Sequence, residues 1–434
     1  MKVVVVGSGY VGLVSGACFA EVGHEVICVD NNINKIEQLN NGYVPIFEPG
    51  LERLIKKNKA TGHLKFSSDL AISIKTAEVV IIAVGTPTDD ITSKVDLSFI
   101  DYAVLQINDL AQHDLLVIVK STVPVGTCQK ISQKLKQVNK FHCKVVSNPE
   151  FLREGQAIID FMNPDRIVIG CNENAETEIA QLYQEHISRG KQIIFTGYET
   201  AELIKYASNT ALAVKVALIN EIASICEKVG GDINQVVHGV GLDSRIGNKF
   251  LLPGPGFGGS CFPKDVKALV SIAAEAGFDG QLIKSVITSN NAHKSSIVNN
   301  ILKYLNGSVT GKVISILGLT YKANTDDVRC SPSIDIINML LAHGAIIQAY
   351  DPEGIAGARK ILDKQVIFAG DIYQVLNESS LAVIVTEWDQ FRNIDYKRLK
   401  QCMVNSVIYD LRNVIDKNKL DTGIKLYKLG CASA

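Results

Sequence analysis

The chain has 434 residues, 47% of them apolar and 21% charged, and a net charge of −1. That length needs two or three hydrophobic cores rather than one. The balanced charge gives no electrostatic reason to bind nucleic acid or an anionic membrane, and no apolar run approaches the ~18 residues of a membrane span.

The opening stretch "MKVVVVGSGY" does not read as a signal peptide. Its apolar run is short, ends in a glycine loop and lacks a small-residue cleavage site, so a cytoplasmic protein is expected. The ten cysteines are scattered, with no Cys-x-x-Cys pair. Neither a disulfide framework nor a structural zinc site is expected, and no metal is assigned.

In chain order, "KVVVVG" (Lys2–Gly7), "EVICVD" (Glu25–Asp30), "VVIIAVG" (Val79–Gly85), "LLVIVKS" (Leu115–Ser121) and "CKVVSNPE" (Cys143–Glu150) read as buried strands. They alternate with helical patterns, which predicts a parallel sheet covered on both faces. The first strand feeds Gly7-Ser8-Gly9-Tyr10-Val11-Gly12 and then a helix. Gly7 allows the tight turn, Gly9 the approach of a pyrophosphate, and Gly12 the close packing of helix on strand. Asp30 ends the next strand, placed to accept bonds from ribose hydroxyls and to repel a 2′-phosphate. NAD is therefore expected over NADP. Thr86 and Thr122 follow later strands, where they are either cofactor ligands or ordinary turn formers.

"NPEFLREG" (Asn148–Gly155) places Glu150 and Glu154 around an aromatic and an arginine. Two such carboxylates suit acid–base work, or Glu154 simply pairs with a basic neighbour. From Thr196 to Gly231 there is no strand signal. Thr196 with Glu199 fits a capping box, Gly230–Gly231 stops the pattern, and about 30 helical residues span ~45 Å. Such a helix bridges domains or lines a subunit interface. On it, Lys205 and Asn209 share a face, either as a polarising pair near a reaction centre or as a solvated helix face.

"GFGGSCFPKD" (Gly256–Asp265) crowds glycines before Cys261. Pro263 suits a first helical turn, which puts Cys261 at a helix N-terminus beside Lys264, a setting that favours thiolate. Gly256, Gly258 and Gly259 are expected to keep bulk away from an approaching substrate. Alternation resumes with "KVISILG" (Lys312–Gly318), "AIIQAYDP" (Ala345–Pro352), "LAVIVTEW" (Leu381–Trp388) and "SVIYDLRN" (Ser406–Asn413), a second and smaller α/β domain.

The stretches "GSGYVGL", "GTPT", "KSTVPVGT", "NPEFLREGQAIIDFMNPDRIVIG", "ELIKYASNTALAVKVALINEIA", "PGPGFGGSCFPKD", "GLTYKANTDDVRCSPS" and "TEWDQF" span nearly the whole chain. Together they resemble the nucleotide-sugar 6-dehydrogenases, the UDP-glucose/GDP-mannose dehydrogenase family, and its UDP-glucose branch most. The resemblance implies an α/β fold with two Rossmann-like parallel-sheet domains joined by a long central helix. The regions would be 1–196 for NAD, 197–310 for the long helix and thiol loop, and 311–434 for the UDP moiety. A homodimer is implied, as is use of the product in polysaccharide synthesis.

Carried over by motif, Cys261 is the nucleophile, Lys205, Asn209 and Asp265 are its partners, and Thr122 and Glu154 assist. The resemblance assigns NAD contacts to Tyr10, Val11, Asp30, Lys35, Thr86, Thr122, Glu154, Lys264 and Arg329, beside Gly7, Gly9 and Gly12. It assigns substrate contacts to Phe151, Leu152, Arg153, Glu154, Lys205 and Asn209, to Phe250, Leu251, Leu252, Pro253 and Gly254, and to Gly258 and Lys322. Arg245 would reach the partner subunit's substrate. The implied reaction is a four-electron oxidation of UDP-glucose to UDP-glucuronate with two NAD and one water. Cys261 would capture the aldehyde as a thiohemiacetal and release the acid from a thioester. GDP-mannose or a UDP-N-acetylhexosamine is the rival substrate, and a non-catalytic NAD-binding regulator the rival class.

Overall fold

Runs of valine and isoleucine form strands here because both faces of each strand are covered by helices. The computed structural model describes residues 1–89, 92–138 and 141–432. The chain divides into two compact units, Met1–Ser208 and Asn209–Ala434.

In the first unit the described residues form one sheet. Its strands are β1 (Lys2–Val6), β2 (Glu25–Val29), β3 (Leu64–Ser67), β4 (Val79–Ile82), β5 (Leu115–Val119), β6 (Cys143–Ser147), β7 (Ile167–Gly170) and β8 (Ile193–Thr196). Their order is β3-β2-β1-β4-β5-β6-β7-β8, and only the β6–β7 pair is antiparallel. β1 lies between β2 and β4, with Val3–Val6 in register with Val26–Val29 on one side and Val79–Ile82 on the other. Helix Tyr10–Glu21 leaves the end of β1 and buries Phe19 completely. The Phe19 ring meets Phe161 at 4.9 Å and Tyr183 at 5.6 Å, both edge-on, the arrangement aromatic quadrupoles favour.

Helix Tyr198–Val229 has 32 residues and begins in the first unit. Its start corrects the expected capping box: Thr196 is the last residue of β8, and Gly197 supplies the carbonyl that receives the Ala201 N–H. This helix is long and apolar enough to cross a membrane by composition. It nevertheless buries Glu202, which accepts the N–H groups of Gly126 (2.6 Å) and Cys128 (2.8 Å). A carboxylate satisfied by neighbouring protein backbone marks a core helix.

The second unit has its own sheet, again of the described residues. Its strands are β9 (Val313–Leu317), β10 (Ile346–Tyr350), β11 (Ile367–Phe368), β12 (Leu381–Ile384), β13 (Val407–Asp410) and β14 (Lys425–Lys428), ordered β11-β10-β9-β12-β13-β14. Every pair is parallel. Both sheets thus contain the 3-2-1-4-5-6 order of doubly wound nucleotide-binding folds. Helices Phe262–Glu275 and Gln281–Tyr304 precede β9.

Phe19→Ala removes a fully buried ring with three aromatic neighbours. It should destabilise the first unit by about 3–5 kcal/mol. Urea denaturation followed by circular dichroism measures this; a loss below about 1 kcal/mol contradicts the packing described.

Candidate active site

The loop after β1 has the geometry of a dinucleotide cradle. Gly7 has φ of +99°, and a Cβ there would lie 2.7 Å from the Ala83 carbonyl oxygen. A Cβ on Gly12 would lie 1.8 Å from the Gly7 oxygen, so only glycine lets the helix pack this closely. A Cβ on Gly9 would meet nothing within 4 Å. That open side, at a helix N-terminus with no side-chain cap, fits a pyrophosphate.

Asp30 follows β2, and its carboxylate accepts the Ser8 N–H (2.8 Å), the Asn32 N–H (3.0 Å) and the Lys35 ammonium (2.7 Å). Burial alone would push its pKa up; Lys35 and the two N–H groups outweigh this and hold it below the ordinary value. The charge that would repel a 2′-phosphate is therefore maintained. Thr86 is buried beyond the end of β4, Thr122 is half-buried beyond β5, and Val11 is half-buried in the first turn of the helix. These residues fit NAD.

After β6, Glu150 and Glu154 are both buried, Phe151 and Leu152 are half-buried, and Arg153 is exposed. Arg153 turns to Asp160 with a 2.6 Å contact. Glu150 instead accepts the Lys205 ammonium at 2.8 Å, and both side chains are buried. Burial opposes ionisation of Glu150. The charge and hydrogen bond of Lys205, the Leu152 N–H and the charge of Lys120 overcome it, leaving the pKa lowered. Lys120 is itself buried and bonded to Asn148 at 3.1 Å. Desolvation brings its pKa down to about 8, against the pull of Glu150. Lys205 is therefore not part of a solvated helix face. Its carboxylate partner lies 55 residues away in sequence, so no local pattern signals the pair.

Tyr10, in the glycine loop, donates its hydroxyl to Glu48, which also accepts the N–H groups of Gly155 (2.6 Å) and Ala157 (2.8 Å). Burial first, then the bond to Glu48 and the charges of Glu48 and Glu154, raise the Tyr10 pKa far above its ordinary value. The sequence reading assigned Glu48 no role.

In the second unit, Cys261 is the N-cap of helix Phe262–Glu275, with Pro263 in its first turn, as the sequence predicts. The thiol is half-buried and lies 3.6 Å from the Ser260 hydroxyl. One turn on, Asp265 is buried. It accepts the Asn209 amide at 2.6 Å and the Lys264 ammonium at 2.7 Å. Lys264 is thus committed to Asp265, although the sequence reading paired it with the thiol. Asn209, Cys261, Lys264 and Asp265 form one cluster.

The glycines before Cys261 are required by packing within the protein itself. A Cβ on Gly258 would lie 2.2 Å from the Cys330 carbonyl oxygen, one on Gly259 2.8 Å from the Tyr321 ring, and one on Gly256 2.8 Å from Asn290. Asn290 also brackets Phe257, accepting its N–H at 2.9 Å and donating to its carbonyl at 3.1 Å. Gly254 is held by Asn220 (2.9 Å) and His293 (2.8 Å). In the loop before it, Leu251 and Pro253 are buried, Phe250 is half-buried with φ of +62°, and Leu252 is exposed. Lys322 is half-buried. Arg329 pairs with Asp327 and Arg245 with Asp243; both arginines are exposed.

A dinucleotide cradle in the first unit and a helix-capping cysteine in the second are the parts of an NAD-dependent oxidoreductase. Comparison with known proteins narrows this. Residues 1–187 match the NAD binding domain of the UDP-glucose/GDP-mannose dehydrogenase family, 199–292 its central domain and 315–417 its UDP binding domain. A UDP-glucose 6-dehydrogenase of Rhizobium meliloti is 44% identical over 424 residues, 97% of each chain. The UDP-glucose 6-dehydrogenase TuaD of Bacillus subtilis is 44% identical over 98% of this chain and 92% of its own. The solved UDP-glucose dehydrogenase of Pyrobaculum islandicum matches with a TM-score of 0.91 at 33% identity, covering 99% of this chain and 97% of that one. The chain belongs to the UDP-glucose/GDP-mannose dehydrogenase family, and its cofactor is NAD.

Because Glu150 has a lower pKa folded than unfolded, its stabilising contribution is complete above the ordinary carboxylate value of about 4.3 and fades as pH falls through the folded value. Glu150→Gln leaves Lys205 buried without its counter-charge and should cost about 3–5 kcal/mol at pH 7. Denaturation curves between pH 7 and pH 3 should show the variant losing less stability on acidification than the parent. Parallel curves would contradict the ion pair.

Proposed function

We propose that the chain oxidises UDP-glucose to UDP-glucuronate in two two-electron steps, with Cys261 holding the half-oxidised sugar. The observation that carries this is Cys261 at a helix N-cap, one turn from the Asn209–Asp265 pair. NAD, held by the Gly7–Gly12 loop and Asp30, would supply the two-electron acceptor for each oxidation. The sugar carbon, first an alcohol and then an aldehyde, is attacked by the Cys261 sulfur to give a thiohemiacetal, whose oxidation leaves a thioester. Water then adds, the carbon–sulfur bond breaks, and the thiol and the acid are released.

Asn209 gives one amide N–H to Asp265 and keeps a second for the developing oxyanion, a role shared with the Lys205 ammonium. Asp265 takes the proton of the attacking water, with Thr122 and Glu154 assisting. Asp265 is held in place for that task by its bond to Lys264.

Residues 1–196 serve NAD, 197–310 carry the thiol and 311–434 serve UDP. On this reading Tyr10, Val11, Asp30, Lys35, Thr86, Lys264 and Arg329 contact the dinucleotide. Phe151–Glu154, Phe250–Gly254, Gly258 and Lys322 contact the substrate. Exposed Arg245 suits a role in a homodimer, reaching the partner's substrate. The ten free cysteines suit the reducing cytoplasm.

A stoichiometric assay tests the reading. Two NADH should form per UDP-glucuronate, and UDP-glucose should be preferred over GDP-mannose and UDP-N-acetylhexosamines. Cys261→Ser should slow the second oxidation or the hydrolysis and leave a covalent sugar adduct visible by mass spectrometry. Unchanged acid production by Cys261→Ala would rule out the thiol.

A further inference from the structure

Glu48 stands outside every residue set given above, yet it is buried between two of them. Its Oε2 accepts both the Tyr10 hydroxyl and the Gly155 N–H, and its Oε1 accepts the Ala157 N–H. The Gly155 N–H also lies 3.2 Å from the Tyr10 oxygen. Tyr10 belongs to the glycine loop of the dinucleotide cradle. Gly155 directly follows Phe151–Glu154 and has φ of +77°, so it is the turn on which that segment ends. One carboxylate therefore fastens two separate ligand-binding loops to each other.

We propose that Glu48 is a positioning residue that couples occupancy of the dinucleotide cradle to the conformation of the Phe151–Glu154 substrate segment. The inference rests on the proposed assignment of that segment to UDP-glucose. The physical basis is shared ordering. A ligand that fixes Tyr10 fixes Glu48, and Glu48 fixes the backbone at Gly155 and Ala157. The second ligand then meets a segment already ordered and loses less conformational entropy on binding. Such coupling is reciprocal, so each ligand tightens the other by the same factor. A neutral amide cannot substitute. Glutamine presents an NH2 group where Glu48 presents an oxygen, so it faces a donor at Tyr10 and Gly155 or at Ala157.

NADH fluorescence titration with and without UDP-glucose tests this, because the reduced cofactor and the unoxidised sugar cannot turn over. In the parent protein, UDP-glucose should tighten NADH by about fivefold or more, within the ordinary range of coupling. In Glu48→Gln and in Tyr10→Phe the ratio should fall toward one. Tyr10→Phe removes a single hydroxyl, which keeps the test open should Glu48→Gln fail to fold. A role confined to folding would weaken both titrations equally and leave the ratio intact. An unchanged ratio in Tyr10→Phe, or a parental ratio of one, overturns the inference. A parent protein that neither binds nor oxidises UDP-glucose would instead remove the functional reading beneath it.

Discussion

Contact between the Gly256–Gly259 loop and the segment from Tyr321 to Pro332 sets where the Cys261 sulfur lies. Gly259 donates its N–H to the Arg329 carbonyl at 3.0 Å, and Gly258 has the Cys330 oxygen where any Cβ would stand. A glycine run is costly to order because glycine has the most backbone freedom to lose. Here that cost is offset by contact that no other residue permits, and by Asn290 holding both polar groups of Phe257. Once the loop is pinned, Ser260 and Cys261 can only emerge at the first turn of helix Phe262–Glu275, where Pro263 is already shaped to continue. The thiol is thus delivered by packing within its own unit before any ligand contributes.

The polar side chains follow a second rule: each is buried against a partner within its own unit. Lys205 contacts Glu150 at 2.8 Å. Asn209 gives one amide hydrogen to Asp265 and retains another. Each pair is fixed by burial and hydrogen bonding within its own unit. Lys120 and Glu150 illustrate the balance. The same desolvation that lowers the lysine is overcome at the carboxylate by two neighbouring cations.

Much of this was legible in local pattern. The apolar strands β1, β2, β4, β5 and β6, the glycine cradle, the position of Asp30 and the helix after Cys261 all follow from periodicity and turn chemistry. β3 and β8 were not read because their alternation is short and half-exposed, β11 because it has two residues, and β14 because lysine begins and ends it. β7, as short and as buried as β4, lies within a quoted motif but was not read as a strand. The partners of the site residues were hidden for a different reason. Glu150 with Lys205, Glu48 with Tyr10, and Asn290 with Phe257 are separated by tens of residues, and a single sequence records no such pairing. The glycines before the thiol were visible but ambiguous, since composition cannot distinguish space kept for a ligand from space filled by the protein itself.

The two units show how one topology can be opened or closed by a side chain. Gly7-Ser8-Gly9-Tyr10-Val11 after β1 corresponds to Gly318-Leu319-Thr320-Tyr321-Lys322 after β9. The first glycine has φ of +99° in one and +102° in the other. An aspartate follows the neighbouring strand in both, Asp30 after β2 and Asp351 after β10. Where Gly9 leaves open space, Thr320 places a buried side chain that bonds Asp351 at 3.1 Å. Asp351 also accepts from Leu319, Glu353, Gly354 and the Trp388 indole, so its carboxylate is saturated by its own chain. Asp30 keeps capacity for a ribose; Asp351 does not. The second unit has filled its dinucleotide cradle and carries a lysine, Lys322, where the first carries Val11. A cation at that point suits the proposed hold on a diphosphate, whereas a glycine-lined backbone suits the long dinucleotide of the first unit.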